Sequence, residues 1–140
     1  MTTTHPQNIS RFSAWILAIR PRTLPAAVAP VVVGSALAFA HRSFTFLPAV
    51  AAMLVALFLQ IAVNLANDYF DFIKGVDTDD RLGPTRVTQS GLIPVDYVKI
   101  GIILTFILAA VPGLYLLKIG GWPALLIGIA CGLAALAYSG

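Results

Sequence analysis

The sequence predicts an all-α integral membrane protein, a helical bundle with about four transmembrane helices. Three observations predict this class: 59% of the 140 residues are hydrophobic, only 11% are charged, and the mean hydropathy is +0.88. A soluble domain of this length needs a polar surface, and so few charged side chains do not provide one. We therefore expect a lipid bilayer to cover most of the molecule.

Four segments without Asp, Glu, Lys or Arg are long enough to cross a bilayer: 23–40, 43–67, 100–117 and 119–140. A hydrocarbon core of about 30 Å needs about 20 helical residues, and only helices or closed barrels satisfy every backbone group there. Because the segments lack the alternation of barrel strands, we predict helices instead. Their expected ranges are 22–40, 48–72, 95–117 and 122–139, with an acidic loop at 73–94 and a short interfacial helix at 10–19.

The basic residues are concentrated on one side of the predicted bundle. Seven of the nine precede the first span or lie between the second and third, and only Arg42 and Lys118 lie in the opposite loops. The positive-inside rule therefore predicts that the N-terminus, the acidic loop and the chain end lie in the cytoplasm, and we expect a multi-pass protein of the cell (inner or plasma) membrane. The basic residues do not cluster on a soluble face, so we expect no nucleic-acid partner. The single Cys131 excludes an intrachain disulfide and is predicted to be a buried, inert thiol.

Acidic residues are concentrated between Gln60 and Gly91, a region that contains five of the six in the chain. Four polar side chains in this region follow the i, i+3, i+4, i+7 spacing of one helix face: Asn64, Asn67, Asp68 and Asp71. Acids at a membrane edge usually face a bundle interior or a wet cavity. Carboxylate and carboxamide oxygens suit Mg²⁺, which typically binds one or two carboxylates together with substrate phosphates.

Three interpretations of this polar face remain open from spacing alone. It could hold a Mg²⁺–diphosphate complex, with Lys74, Arg81 and Arg86 as contacts to the phosphates. Alternatively, Asp68 and Asp71 only mark a helix end and pair with Lys74 or Arg81, while Arg81 and Arg86 serve only as topology determinants. In a small transporter or ion-binding subunit, the same face would line a conduction path, although the first half of this helix is apolar.

The same region resembles the intramembrane aromatic prenyltransferases of the UbiA superfamily. The aspartate-rich motif of that family, Asn-Asp-x-x-Asp, stands here at 67–71. The pattern of its dihydroxynaphthoate branch, N-x-x-N-D-Y-x-D-x-x-K-G-x-D-x-x-x-R-x-G-P-x-R, is similar to residues 64–86 throughout, and the segment WILAIRPRTLP at 15–25 resembles the start of the family. Gly75 stands where benzoate-type members carry a further acid, which favours the naphthoate branch.

The resemblance implies transfer of a polyprenyl group from polyprenyl diphosphate to 1,4-dihydroxy-2-naphthoate, with Mg²⁺ as cofactor. The allylic C–O bond ionises, and an aromatic carbon captures the cation as the carboxylate leaves as CO₂. Demethylmenaquinone, in menaquinone biosynthesis, is the implied product. The residues that match the family's metal and diphosphate site are Asn64, Asn67, Asp68, Asp71, Lys74, Arg81 and Arg86, with Asp68 and Asp71 as the expected catalytic acids.

The length of the chain departs from the family. Its members resemble bundles of about nine helices with a second aspartate-rich motif on a later cytoplasmic loop, whereas no Asp or Glu follows Asp96 here. Residues 1–140 are therefore expected to be the N-terminal part of a single prenyltransferase domain, a fragment that is inactive alone. A non-catalytic remnant of the family is the alternative.

Overall fold

The computed structural model describes residues 9–75 and 86–139, and these residues are almost entirely helical. Helix α1 spans Arg11–Ile19, α2 spans Leu24–Ala40, α3 spans Phe46–Lys74 and α4 spans Val95–Ser139, with a 3-10 turn at Pro21–Thr23. The described ranges contain no strand, so the predicted all-α class is confirmed. Three stretches are long and apolar enough to cross a membrane, Arg11–Ala40, Phe46–Lys74 and Val95–Tyr138. They indicate a multi-pass membrane protein.

Helix α1 is a short element that packs against the bundle with one face. It begins after Ser10, whose hydroxyl accepts the N–H of Ser13 at 3.2 Å. It ends at Arg20, which adopts a left-handed φ of 54°. The small side chains of Ala14 and Ala18 are buried, whereas most of the remaining α1 side chains are exposed. The helix therefore presents a narrow inner face to the bundle.

Proline placement explains why the first long helix starts later than the predicted residue 22. Pro21 follows the left-handed Arg20 and opens the 3-10 turn, because a proline lacks the N–H that would continue α1. The chain then enters α2, in which no residue is buried against the described part of the protein. Most residues of this apolar helix are therefore exposed in the described structure.

Helix α3 extends two residues beyond each predicted end, over 46–74 instead of 48–72. Gly75 ends it with a left-handed φ of 61°, and its N–H donates to the carbonyl of Phe72 at 3.2 Å. This conformation costs glycine little because it has no Cβ. Nearly all the buried residues of α3 lie in its second half, between residues 62 and 68. The buried part of α3 therefore lies at the same end of the helix as the predicted polar face.

Helix α4 is two helices joined at Gly121, whose backbone (φ 64°, ψ −155°) is non-helical. Phe106 and Gly132 line one cavity together with Val55 and Leu59 of α3. These two α4 residues are 26 positions apart in the sequence and would be separated by about 39 Å on a straight helix. The chain therefore reverses near Gly121, which gives two antiparallel halves close to the predicted helices at 95–117 and 122–139.

The hydrophobic core brings α1, α3, α4 and the segment before α4 together. Its buried members are Ala14, Ala18, Leu65, Val87, Ile93 and Val98. Helix α4 approaches closely because it carries Gly101 at the contact. A Cβ at this position would lie 3.2 Å from the ring of Trp15 and 3.3 Å from Cδ1 of Leu65. A glycine is therefore what allows α4 to pack directly on α1 and α3.

Nearly all the side chains in the second half of α4 are exposed in the described structure. Cys131 lies there and is exposed. The predicted burial of this thiol is therefore wrong. An apolar span in the sequence predicts hydrophobic surroundings, but it does not distinguish a protein core from a surface that faces lipid.

Candidate functional site

The polar face predicted on α3 lies on the last turns of the helix, next to the core. Asn64 and Asp68 are each only 3% exposed, whereas Asn67 and Asp71 are partly exposed. The helix is regular through this region, so residues three and four apart share one side of it. The face therefore has two buried side chains and two that remain accessible.

Asn64 joins α3 to the connection between α1 and α2. Its amide nitrogen donates to the carbonyl of Ile19 at 2.7 Å and to the hydroxyl of Thr23 at 2.8 Å. The Thr23 hydroxyl in turn donates to the carbonyl of Arg20 at 2.9 Å. Gln60 donates to the amide oxygen of Asn64 at 3.3 Å. The side chain thus connects the motif region of α3 with the WILAIRPRTLP segment, and it satisfies the carbonyl of Ile19 at the end of α1.

Asp68 accepts two hydrogen bonds from Thr88, which the sequence analysis did not single out. The backbone N–H of Thr88 donates to Oδ2 of Asp68 at 3.0 Å, and the Thr88 hydroxyl donates to the same oxygen. Both side chains are buried, since Thr88 is 5% exposed. A buried carboxylate needs such donors because desolvation otherwise disfavours its charge. A lone threonine beyond the motif carries no sequence signal for this role.

Asp71 forms an ion pair with Arg86, which begins the segment that leads to α4. Nη2 of Arg86 lies 2.5 Å from Oδ2 of Asp71, and the two side chains are 16% and 27% exposed. The pair combines a candidate metal ligand with a candidate phosphate contact in one place. It is also an acid–base pairing of the kind that the purely structural interpretation expects, although that interpretation named Lys74 and Arg81 as the partners, so the contact is compatible with both interpretations.

The remaining predicted site residues lie on both sides of the gap in the described ranges. Lys74 is exposed in the last turn of α3, and Arg81 lies outside the described residues. Within 9–75 and 86–139, no group of three or more His, Cys, Asp or Glu is placed to hold a metal. Magnesium does not need such a cage, because it takes one or two carboxylates and fills other positions with substrate phosphates and water. The donor set on α3 fits that type of binding.

Sequence comparison shows which known proteins the chain is similar to. The profile of the family described as the UbiA prenyltransferase family matches residues 27–140. The 1,4-dihydroxy-2-naphthoate octaprenyltransferase of Escherichia coli (strain K12) is 45% identical over 113 residues, which are 81% of this chain and 37% of that protein. The protein of the same name from Mycobacterium tuberculosis (strain ATCC 25618 / H37Rv) is 38% identical over 132 residues, or 94% of this chain and 45% of the relative.

A more distant similarity extends to animals. The UbiA prenyltransferase domain-containing protein 1 of Homo sapiens is 35% identical over 96 residues, which are 66% of this chain and 27% of that protein. No solved structure matches. The chain spans less than half the length of these curated relatives. Because the family profile matches most of the chain and includes the whole polar face of α3, the chain belongs to the UbiA prenyltransferase family.

Proposed function

We propose that the chain supplies the first aspartate-rich half of a 1,4-dihydroxy-2-naphthoate polyprenyltransferase site. The observation that carries the proposal is the polar face of α3, where the accessible Asp71 meets Arg86 at 2.5 Å and the buried Asp68 is hydrogen-bonded beside it. The relatives named 1,4-dihydroxy-2-naphthoate octaprenyltransferase support the choice of acceptor. Octaprenyl diphosphate is the first donor to test for the same reason.

In this proposal the four polar residues of α3, Asn64, Asn67, Asp68 and Asp71, together form the site for Mg²⁺ and the diphosphate. Asn67 and Asp71 are the accessible members and provide the direct oxygens, whereas Asn64 and Asp68 are 3% exposed and keep the face in place. Bound Mg²⁺ supplies positive charge that neutralises the departing diphosphate. Hard oxygen ligands without sulfur or imidazole fit this ion.

The basic residues of the chain then stabilise the leaving group. Arg86 lies beside Asp71, and together with Lys74 and Arg81 it provides guanidinium and ammonium donors for phosphate oxygens as the allylic C–O bond breaks. The electron pair of that bond leaves with the diphosphate. A C–C bond forms between the allylic carbon and an aromatic carbon of the acceptor, and the carboxylate of the acceptor leaves as CO₂.

The apolar walls next to the site have a separate role. An allylic cation is destroyed by water, so the reaction needs a cavity from which water is excluded. The ends of α1, α3 and α4 pack around Leu65 and Val98, which are 2% and 0% exposed. This apolar core adjoins the polar face, since Leu65 lies between Asn64 and Asp68 along α3. We also propose that this end of the bundle faces the cytoplasm of the cell membrane, because most basic residues lie on its side.

A chimera tests the proposal, because the chain covers only part of its relatives. Residues of this chain replace the matching segment of the Escherichia coli enzyme, which is 45% identical over 113 residues. Membranes that contain the chimera are incubated with octaprenyl diphosphate, 1,4-dihydroxy-2-naphthoate and Mg²⁺. We expect a prenylated product and release of CO₂, both abolished by EDTA and restored by added Mg²⁺.

Two acid-to-amide variants of the chimera separate the site from the rest of the protein. Asp71→Asn should lower turnover roughly 100-fold or more, since it removes charge at the leaving group. Asp96→Asn is the matched control, because Asp96 is an exposed acid in the first turn of α4 and outside the polar face. Turnover of Asp71→Asn close to that of the parent would reject the metal assignment. A folded chimera that forms no product would reject the proposed function.

A further inference from the structure

We propose that Thr88 is a positioning residue: its two hydrogen bonds to Asp68 fix the turn that carries Arg86 and thereby hold the Arg86 guanidinium against Asp71. The structural part of this inference depends only on the described contacts. Its kinetic part rests on the proposed function, because the effect on diphosphate binding is measured through prenyl transfer.

The Asp68–Thr88 contact is unusually well protected for a loop contact. The two side chains are 3% and 5% exposed, and one carboxylate oxygen accepts both the N–H and the O–H of the same residue. A carboxylate with charge-assisted hydrogen bonds in a buried site holds its donors more firmly than a neutral acceptor does. The contact also joins residues 20 positions apart in the sequence. It therefore anchors the segment after the acidic loop to α3.

The turn that contains Thr88 has its own internal structure, so the anchor acts on the turn as a unit. The N–H of Ser90 donates to the carbonyl of Arg86 at 3.0 Å, and the N–H of Leu92 donates to the carbonyl of Val87 at 3.0 Å. The Ser90 hydroxyl also donates to the Arg86 carbonyl, at 2.8 Å. Val87 and Ile93 are buried in the core, at 1% and 3% exposure. Fixing the turn therefore fixes the backbone of Arg86.

The turn meets α3 at two points that are one helical turn apart. Thr88 contacts Asp68 and Arg86 contacts Asp71, and these two acids are at i and i+3 on α3. The outer contact is less buried, at 16% and 27% exposure, and an ion pair that is partly open to solvent is weakened by screening and by the side-chain entropy lost when it forms. The buried inner contact therefore sets the register in which Arg86 faces Asp71.

This arrangement has a consequence for substrate binding. An arginine has many rotamers, and ordering them on a phosphate is costly unless the base of the side chain is already held. Because the turn that contains Thr88 fixes the backbone of Arg86, the guanidinium already lies next to Asp71 before a diphosphate binds. Loss of the threonine hydroxyl should weaken diphosphate binding even though Thr88 itself touches neither metal nor substrate in this proposal.

The test compares Thr88→Val with Thr88→Ser. Valine has nearly the same shape and keeps the backbone N–H but removes the hydroxyl donor, whereas serine keeps the hydroxyl. The first readout is hydrogen exchange of the backbone amides at 87–93 in the full 140-residue chain in lipid nanodiscs, with circular dichroism to check that helical content is retained. We expect Thr88→Val to speed exchange at Thr88 and Leu92 by about tenfold, which corresponds to about 1.4 kcal/mol, and Thr88→Ser to stay near the parent.

The second readout is the Mg²⁺-dependent prenyl transfer of the chimera. We expect Thr88→Val to raise the KM for octaprenyl diphosphate more than it lowers kcat, and Thr88→Ser to restore both values. Parental exchange rates in Thr88→Val would overturn the anchor itself. Faster exchange with an unchanged KM would show that the anchor does not position Arg86. The proposed function would still stand in that case, because the chimera would turn over at the parental rate.

Discussion

The reversal of the chain at Gly121 makes a sharp prediction about a single methyl group. The backbone there has φ 64° and ψ −155°, a region that residues with a Cβ rarely adopt because of steric clashes. Forcing such a residue into this region costs of the order of 1–3 kcal/mol. The nearest side-chain atom to a Cβ at Gly121 is 3.8 Å away, so contacts add little. Gly121→Ala should therefore lower the free energy of unfolding by about 2 kcal/mol.

Gly128→Ala is the matched control on the same half of α4. Gly128 has no positive φ, and no atom lies within 4 Å of a Cβ built on it. Alanine is favoured over glycine in a helix by up to about 1 kcal/mol, so this variant should be neutral or slightly more stable. The difference between the two variants should be about 2–3 kcal/mol.

The free energies are measured by SDS titration of the chain in mixed detergent micelles, with far-UV circular dichroism and the fluorescence of Trp122 and Trp15 as two independent probes. Coincident transitions establish that unfolding is two-state. A Gly121→Ala variant as stable as the parent would refute the assigned backbone conformation. An equal loss in Gly128→Ala would show that glycine content, and not the reversal, determines stability.

Two further predictions concern the packing around the site. Gly101→Ala should destabilise the chain by about 1–2 kcal/mol, because its Cβ would lie 3.2 Å from the ring of Trp15. Gly113→Ala should be tolerated, because the nearest atom to its Cβ would be 3.9 Å away. Equal losses of stability in the two variants, measured by SDS titration, would contradict this prediction. Asn64→Ala and Thr23→Val should show a coupling energy of about 0.6–1.7 kcal/mol in a double-mutant cycle, because their side chains are 2.8 Å apart. Additive losses would mean that the hydrogen bond contributes nothing to stability.

The membrane class and the polar face could be predicted from local sequence. Uncharged stretches such as 43–67 are visible to any count of charges, and crossing a bilayer depends on length and hydropathy, which are properties of one segment. The spacing of Asn64, Asp68 and Asp71 aligns them on any regular helix, and the regular α3 over 46–74 provides that alignment. The identity of Asn67 and Asp71 as metal ligands stays a prediction.

Local sequence determined less about where helices end and turn. The pair Gly120–Gly121 marks a weak point in a long apolar segment, but the positive φ of Gly121 and the return of the chain along α3 depend on how the two halves pack. In the same way, hydropathy shows that Cys131 lies in an apolar segment, but it does not show whether protein or lipid surrounds the thiol. Its exposure follows from which face of the second half of α4 meets the bundle.

The tertiary structure alone decided which partners the polar residues of α3 take. Asn64 bonds residues 41 and 45 positions away, and Asp68 bonds Thr88 at a distance of 20 positions. Periodicity places these side chains on one face, but it carries no information about which donor another segment brings to that face. The identity of those partners depends on how α1, the turn that contains Thr88 and α4 pack around Leu65. The sequence by itself therefore determined the membrane helices and their polar face, whereas packing between distant segments decided which of its residues are buried and which remain accessible.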